Sequence, residues 1–229
     1  GNSMGLVVAV SWSGGKDSCL SLYRAICSGF KVSCLLNFIN RDSKRSMSHG
    51  LDRRLLAAQA QALETPIVQR EVTWDSYEEE FKRTVTELKQ KGVEGVVFGD
   101  IDVEEHKQWT DRVCHEVGVM AISPLWGDEP QRILCDFIDA GFEAIVVAAK
   151  ADLFGEEWLG KRLGSDFVRE LERLSNHSNI HICGERGEYH TFVTNGPPFK
   201  RRIAILDSRK ELREGRWFLD ILGYEIVGK

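Results

Sequence analysis

Short apolar runs alternate with amphipathic stretches along the first 150 residues of the chain. The runs are rich in β-branched residues and of strand length, which predicts strands over 7–10, 32–40, 67–72, 95–98, 119–122 and 144–147. Between them apolar residues recur at helical spacing, which predicts helices over 18–28, 52–63, 76–91, 104–117 and 130–140. This alternation indicates an α/β fold, with helices on both faces of a parallel, Rossmann-like sheet.

The pattern changes after residue 150. One further helix is predicted over 165–174, and a polar break at 175–179 precedes short strand patterns over 190–193, 202–207 and 217–227. We therefore expect a first domain over 4–150 and a smaller α+β lobe over 151–229. No linker rich in proline, glycine or serine separates them, so we expect the two to pack closely.

The first predicted strand runs directly into Ser-Gly-Gly-Lys-Asp-Ser at residues 13–18. Two adjacent glycines permit positive φ and a close backbone approach, so that several N–H groups can converge on an anion. The helix that follows would add the positive end of its dipole. An ordinary strand–turn–helix connection is the alternative, but the whole hexapeptide after a buried strand favours phosphate binding. The spacing matches neither a Walker loop nor the dinucleotide fingerprint.

Composition and charge exclude several classes of protein. The chain has 229 residues with a net charge of -5, which argues against broad electrostatic capture of nucleic acid. No apolar run is long enough to span a membrane, and we recognise no positively charged leader before an apolar core with a small-residue cleavage site. Residues 1–3 ahead of Met4 resemble a cloning remnant. The six cysteines include no C-x-x-C pair. We therefore expect a reduced, cytoplasmic protein.

A second unusual passage, Gly-Glu-Arg-Gly-Glu-Tyr-His-Thr-Phe-Val, occupies residues 184–193. Strand alternation would place Glu188 and His190 on one face, with Tyr189 and Thr191 on the other. A polar face beside flexible glycines suits a charged substrate, and histidine titrates near neutral pH. A hairpin turn followed by a solvent-facing strand is the alternative.

Both passages carry family resemblances. Residues 13–18 resemble the loop of the adenine nucleotide α-hydrolases, also called N-type ATP pyrophosphatases, which have a HUP-like fold. Residues 184–192 resemble the signature of the diphthine–ammonia ligase family, in its short archaeal type. Further family landmarks recur in order at 47–50, 98–101, His106, Trp109, 124–126, 158–160 and 196–199. Ser48 departs from the family, where an aromatic residue is common before the histidine.

The resemblance implies a ligase that completes diphthamide on elongation factor 2. ATP would activate the diphthine carboxylate as an acyl adenylate with release of pyrophosphate, and ammonia would then displace AMP. The expected cofactors are ATP and Mg²⁺, and the expected nucleotide contacts are Ser11, Ser13, Gly14, Gly15, Lys16, Asp17, Ser18, His49, Gly99 and Asp100. Asp17 and Asp100 are the candidate metal ligands, although Asp100 could instead cap the helix that follows it. His49 follows the polar segment 40–48, which we interpret as a loop that closes over the nucleotide, with a plain solvated loop as the alternative.

The amidation step needs ammonia in place of ammonium. His190 and Glu188, with Glu185 behind them, are the candidate bases, and Asp17 completes the predicted catalytic set. The two glutamates could also offset the trimethylammonium charge of diphthine, with Tyr189 making a cation–π contact. The expected substrate contacts are Gly184, Glu185, Gly187, Glu188, Tyr189, His190 and Thr191.

Two other functions are consistent with the loop at 13–18. One is an enzyme that adenylates a tRNA base, which the missing cysteine pairs and the acidic charge disfavour. The other is a sensor that binds ATP or AMP without turnover. The ligase hypothesis predicts a diphthine-bearing protein and ammonia as partners, with neither membrane nor nucleic acid. A homodimer is one option for its assembly.

Overall fold

The computed structural model describes residues 5–47 and 49–229, so Ser48 and the first residue of the predicted 4–150 domain lie outside the described residues. Within that range five strands form a parallel sheet in the order β3-β2-β1-β4-β5. Its elements are β1 (Val7–Ser11), α1 (Lys16–Cys27), β2 (Lys31–Asn40), α2 (Arg53–Ala62), β3 (Ile67–Val72), α3 (Tyr77–Gln90), β4 (Gly95–Val97), α4 (Glu104–Val117) and β5 (Met120–Ile122). The predicted α/β fold is confirmed.

The strand order places a switch point beside β1. The chain runs outward from β1 through β2 to β3 and then returns through α3 to β4, on the other side of β1. Val8 therefore pairs with Val32 of β2 on one side and Gly95 of β4 on the other. In open parallel sheets ligands bind beyond the carboxyl ends of the strands at such a point, which is where residues 12–18 lie.

The rest of the chain forms an antiparallel sheet with two helices. Its elements are α5 (Pro130–Asp139), β6 (Glu143–Lys150), a 3₁₀ turn (Glu156–Trp158), α6 (Ser165–Ser175), β7 (Tyr189–Asn195), β8 (Arg201–Arg213) and β9 (Arg216–Gly228). The strand order is β7-β6-β9-β8. The expectation that 144–147 continues the parallel sheet is wrong, because β6 lies between β7 and β9. An apolar run signals burial without naming its partner strand. The division into 4–150 and 151–229 stays a prediction.

Both faces of the parallel sheet are covered, and one core joins the two sheets. On one face, Phe81 of α3 and Val113 of α4 are fully buried against the sheet. On the other, a single apolar cluster includes Leu20 of α1, Phe137 of α5 and Phe192 of β7. The antiparallel sheet is therefore held directly against the loop that follows β1. Within the described residues, no helix combines the length and the apolar character needed to cross a membrane.

Candidate functional site

The turn after β1 has room for glycine alone at two positions. Gly14 has φ +81°, and a Cβ there would lie 2.5 Å from Leu56 and 2.6 Å from Gln59. A Cβ on Gly15 would lie 2.9 Å from the ring of His49. Helix α1 begins at Lys16, earlier than predicted, and its N-cap Gly15 supplies no side-chain cap. The turn thus leaves a helix N-terminus available to an anion.

Two serine hydroxyls are paired across this turn. The Oγ atoms of Ser13 and Ser18 lie 2.9 Å apart, and the backbone N–H of Ser13 donates to Ser18 Oγ at 3.1 Å. The N–H of Gly15 donates to Ser13 Oγ at 3.3 Å. The predicted phosphate contacts are therefore brought together by the backbone itself.

A buried glutamine anchors the turn to both sheets, and the sequence analysis missed it. Gln59 accepts from Trp12 Nε1 at 3.1 Å and donates to the carbonyls of Gly14, at 2.9 Å, and Val193, at 2.8 Å. Its side chain has no solvent exposure. The one available signal was a glutamine on the apolar face of a predicted helix, where a buried amide needs partners.

Lys16 turns inward from the helix terminus. Its Nζ donates to Asp17 at 3.1 Å and to the carbonyl of Cys183, and it lies 5.1 Å from the centre of the Tyr189 ring. The residue is 4% exposed. Burial opposes its charge, but Asp17 and other acidic neighbours more than offset this and raise the pKa of Lys16. A fixed positive charge therefore lies beneath the turn.

Two cavities meet at the turn. The first, of about 580 Å³, lies beyond the carboxyl ends of β1, β2 and β4 and is lined by Ser11, Trp12, Ser13, Ser18, Leu36, Asn37, Phe38, Met47, His49, Trp74, Tyr77, Phe98, Gly99, Asp100, Glu105, His106, Trp109 and Thr110. The second, of about 620 Å³, lies between the turn and the 183–191 segment and is lined by Ser13, Gly15, Lys16, Asp17, His49, His106, Cys183, Gly184, Glu185, Arg186, Gly187, Tyr189, His190, Thr191 and Arg216. Ser13, His49 and His106 line both.

The end of β4 approaches α1 closely. A Cβ on Gly99 would lie 3.1 Å from Cβ of Asp17, a tight contact that a larger residue could make only if Asp17 shifted. Asp100 accepts a hydrogen bond from Thr110 Oγ1 at 3.1 Å, and burial raises the pKa of its carboxyl. The N-cap of α4 is Val103, so Asp100 does not cap that helix. Its carboxylate lines the first cavity instead.

Two histidine rings are in contact at the junction of the cavities, with their planes tilted by 35°. The ring centres of His49 and His190 lie 4.2 Å apart. Burial and the nearby Lys16 lower the pKa of His49 to about 4. Burial, His49 and Arg216 lower the pKa of His190 well below its usual value. Both imidazoles are therefore neutral at pH 7, with a free ring nitrogen but a reduced affinity for a proton.

Some residues of the 184–191 segment face the second cavity, and others hold the segment in place. Glu185 faces the second cavity, where burial and Asp17 raise its pKa to about 9. Glu188 is 3% exposed, is absent from the lining of both cavities, and accepts from the N–H groups of His181 and Arg186. Tyr189 is 2% exposed and donates its hydroxyl to the carbonyl of Ile182. Glu188 thus supports the segment from inside, whereas Tyr189 lines the second cavity with its hydroxyl fixed by Ile182.

The other residues predicted in this segment make contacts within the protein, and their contact with substrate stays a prediction. Thr191 Oγ1 accepts from the N–H of Lys16 at 3.0 Å and ties β7 to α1. Gly184 has φ +70°, and a Cβ there would lie 2.7 Å from the carbonyl oxygen of Tyr189. Gly187 has φ +80°, and its carbonyl accepts from Arg216 of β9 at 2.7 Å. The sequence analysis missed Arg216, because an arginine in a strand pattern carries no mark of a site.

Family models match both parts of the chain. A model described as the diphthamide synthase N-terminal domain matches residues 6–121, and one described as the diphthamide synthase C-terminal domain matches residues 129–227. Together the two models span both sheets of the structure.

Several relatives bear the name diphthine--ammonia ligase. One from Rattus norvegicus is 28% identical over 244 residues, covering 96% of this chain and 91% of the relative. One from Danio rerio is 27% identical and covers 84% of each chain. One from Schizosaccharomyces pombe is 27% identical over 85% of this chain, which spans 35% of that longer protein.

A solved structure also resembles this chain. It is described as a predicted subunit of tRNA methyltransferase from Methanocaldococcus jannaschii and is 16% identical. The match covers 84% of this chain and 98% of that one, with a TM-score of 0.47. A likeness at this level supports no shared function.

Proposed function

The chain belongs to the diphthamide synthase family, and on that premise we propose that it is an ATP-dependent ligase that forms the amide of diphthamide. Its substrates would be ATP, ammonia and diphthine on elongation factor 2, and its products diphthamide, AMP and pyrophosphate. The observation that carries this proposal is that two cavities with different lining residues meet at the turn over residues 12–18, the candidate phosphate-binding turn. This turn lies beside the switch point of the parallel sheet.

The second cavity suits a triphosphate. Lys16, Arg186 and Arg216 line it, and the uncapped start of α1 faces the turn. Backbone N–H groups at a helix terminus and buried positive charge both favour phosphate. We propose that Ser13, Gly14, Gly15 and Ser18 position the β- and γ-phosphates, with Ser11, His49 and Gly99 near the rest of the nucleotide. Positioning of this kind allows in-line attack on the α-phosphorus.

The reaction would proceed in two balanced steps. A diphthine carboxylate oxygen attacks the α-phosphorus of ATP, and the bond to the bridging oxygen breaks to release pyrophosphate. Ammonia then attacks the acyl carbon, loses a proton, and AMP leaves with the carbon–oxygen bond electrons. A free carboxylate cannot acylate ammonia directly, because its leaving group would be oxide. Adenylation supplies a stable leaving group.

Magnesium fits the donor set as a nucleotide-bound ion. Among the described residues, no group of three or more His, Cys, Asp or Glu side chains could hold a metal by itself. Mg²⁺ usually keeps several waters and binds through one or two carboxylates plus substrate phosphates. We propose Asp17 and Asp100 as those carboxylates, since both lie at the rim of the turn. The ion would offset the repulsion between triphosphate and carboxylate.

For the proton released from ammonia, we propose His190 as the base, because Glu185, whose pKa is raised to about 9, already holds a proton at pH 7. His190 lines the second cavity and is neutral at pH 7. A positioned base contributes roughly 10²- to 10⁴-fold to such a step. We propose a different role for Glu188. Its carboxylate holds two backbone N–H groups and so positions Glu185 and His190.

The test is an incubation with ATP, magnesium, ammonium and diphthine-bearing elongation factor 2. We expect AMP and pyrophosphate to form only with the protein substrate, together with the mass change of an acid converted to an amide. Asp17→Ala should abolish pyrophosphate release, whereas Asp139→Ala, at an exposed carboxylate on α5, should not. Turnover that yields ADP would overturn the proposal. Turnover with tRNA in place of the factor would identify a tRNA-modifying enzyme, and binding without turnover a sensor.

The cytoplasmic location and the option of a homodimer stay predictions, as does the absence of nucleic acid and membrane among the partners.

A further inference from the structure

A buried carboxylate of β9 is paired with the segment that carries His49. This segment, called the His49 segment below, comprises residues 45–47 and 49–52. Asp220 is 6% exposed and accepts a hydrogen bond from Arg45 Nη1 at 2.9 Å. The two residues are 175 positions apart in the chain, so their ion pair joins the antiparallel sheet to the connection between β2 and α2.

The same guanidinium closes the His49 segment on itself. Arg45 Nη1 also donates to the carbonyl of Gly50 at 3.0 Å, and the backbone of Arg45 forms a β-bridge with Asp52. Within the segment, the N–H of Gly50 donates to the carbonyl of Ser46 at 3.1 Å. One arginine side chain therefore holds both ends of the segment and attaches it to β9. Hydrogen bonds from a charged donor are stronger than neutral ones, which suits this task.

A ring on β9 packs against the same segment. Phe218 lies two residues before Asp220, so both side chains are on one face of the strand. A Cβ on Gly50, which has φ +68°, would lie 3.0 Å from the Phe218 ring. The Arg213 guanidinium lies 4.2 Å from the centre of that ring and donates to Asp220 at 3.1 Å. Strand β9 thus supports the His49 segment through one apolar contact and one ion pair.

The histidine of this segment reaches the residues of the proposed chemistry. A Cβ on Gly15, in the candidate phosphate-binding turn, would lie 2.9 Å from Cε1 of His49. The ring centres of His49 and His190 lie 4.2 Å apart, and His49 lines both cavities. A shift of the His49 segment would therefore change the junction at which the cavities meet.

We propose that Asp220 is a positioning residue that acts through Arg45 and holds the imidazole of His49 at the junction of the two cavities. The inference rests on the proposed function, which places the phosphates and the base beside that imidazole. Arg45 and Asp220 are absent from the described linings of both cavities, so their effect passes through the segment and not through contact with a ligand. An arginine near a nucleotide could instead bind phosphate, but Nη1 of Arg45 already donates twice within the protein.

The test records NMR spectra of the full chain, labelled at histidine, without ATP. We expect NOE cross-peaks between the ring protons of His49 and His190, because their rings are in contact. Arg45→Met, at a side chain that is 38% exposed, should lose most of this intensity, since the NOE falls steeply with distance. Asp220→Asn should keep more of it than Asp220→Ala, because the amide oxygen can still accept from the arginine. Arg54→Met, which removes an exposed ion pair at the start of α2, is the control and should leave the cross-peaks unchanged.

Three outcomes would overturn the inference. They are the absence of the cross-peaks in wild type, equal cross-peaks in wild type and Arg45→Met, and an equal loss in Arg54→Met. Thermal melts must accompany the spectra, because Asp220 is buried. If Asp220→Ala does not fold, the more exposed Arg45 still decides the question.

The proposed function is tested separately, because the NMR comparison needs no turnover. In the ligase assay, folded Arg45→Met should have a higher KM for ATP, and Asp220→Asn should have a smaller increase than Asp220→Ala. Glu225→Gln, at an exposed carboxylate on β9, should match wild type. Wild type without ligase activity would contradict the proposed function, whereas cross-peaks retained in Arg45→Met would contradict the positioning role alone.

Discussion

His181 donates a hydrogen bond from Nε2 to the carboxylate of Asp102 at 2.8 Å. Its Nδ1 accepts the N–H of Cys183 at 3.0 Å, which assigns the proton to Nε2. The pair joins the segment before β7 to the turn after β4 and therefore crosses between the two sheets. Cys183, whose N–H the imidazole accepts, lines the second cavity, so the pair is connected to that wall.

Removal of this contact should loosen the cavity without unfolding the chain. In Asp102→Ala the imidazole of His181 loses its acceptor, and we expect a higher KM for ATP and a lower kcat. Asp102→Asn should restore most of both, because its amide oxygen can still accept from Nε2. Asp139→Ala serves as the control. Asn and Ala variants with equal defects would show that the charge of Asp102, and not the hydrogen bond, matters.

Gln59 should be essential to stability. Gln59→Leu removes three hydrogen bonds from a position with no solvent exposure. Leucine has no acceptor for the buried indole N–H of Trp12. Each buried polar group left unpaired costs about 1–3 kcal/mol, so the free energy of unfolding should fall by at least that amount. Urea denaturation measures it. Gln61→Leu, at an exposed position on the same helix, should change it little. Equal midpoints for the two variants would contradict the role assigned to Gln59.

Local sequence was enough to predict β1, the glycine turn and the presence of α1, because φ > 0 at Gly14 depends on adjacent residues, although the helix begins at Lys16 and not at the predicted residue 18. The wrong sheet for β6 and the missed Gln59 have a common cause. Strand partners and side-chain partners are chosen by tertiary packing, and Gln59 bonds to Val193, 134 residues away.

The signature segment shows the same limit. Alternation was a sound reason to group Glu188 with His190 on one strand face. It could not show that the Glu188 carboxylate would bend back onto two backbone N–H groups, or that Lys16 would cover the Tyr189 ring. Residue types indicated this segment as a candidate site, whereas which side chains face the cavity and which support it depends on where each side chain points.

The charge of Lys16 should be needed for turnover. Lys16→Met keeps much of the side-chain volume but removes the cation that contacts Asp17 and faces the second cavity. If that charge stabilises the departing pyrophosphate, kcat should fall on the order of 10²- to 10³-fold, as for other preorganised electrostatic groups. Lys210→Met, at an exposed site on β8, should keep full activity. Because a buried charge also affects folding, a thermal melt must accompany the assay. A folded Lys16→Met protein with normal kcat would exclude the role.

The neighbouring histidines His49 and His190 should make the fold sensitive to acid. The pKa of His49 is about 4 in the folded chain against an ordinary value of 6.5, and that of His190 is lowered as well. Between these values the unfolded chain binds more protons than the folded one, so stability should decrease as pH falls from about 6.5 toward 4. Lys16 and Arg216 add to the cost of protonation, whereas Glu185, with its raised pKa, changes stability in the opposite direction.

The comparison that isolates the histidines is therefore between wild type and the double variant His49→Gln with His190→Gln. Melting temperatures measured from pH 7.5 to 4.5 should fall less steeply in the double variant, because neither glutamine takes up a proton. His177→Gln, at an exposed position after α6, should follow the wild-type curve. Parallel curves for wild type and the double variant would mean that the two imidazoles have the same pKa in the folded and unfolded chains. The lowered pKa would then no longer support a neutral His190 as the base.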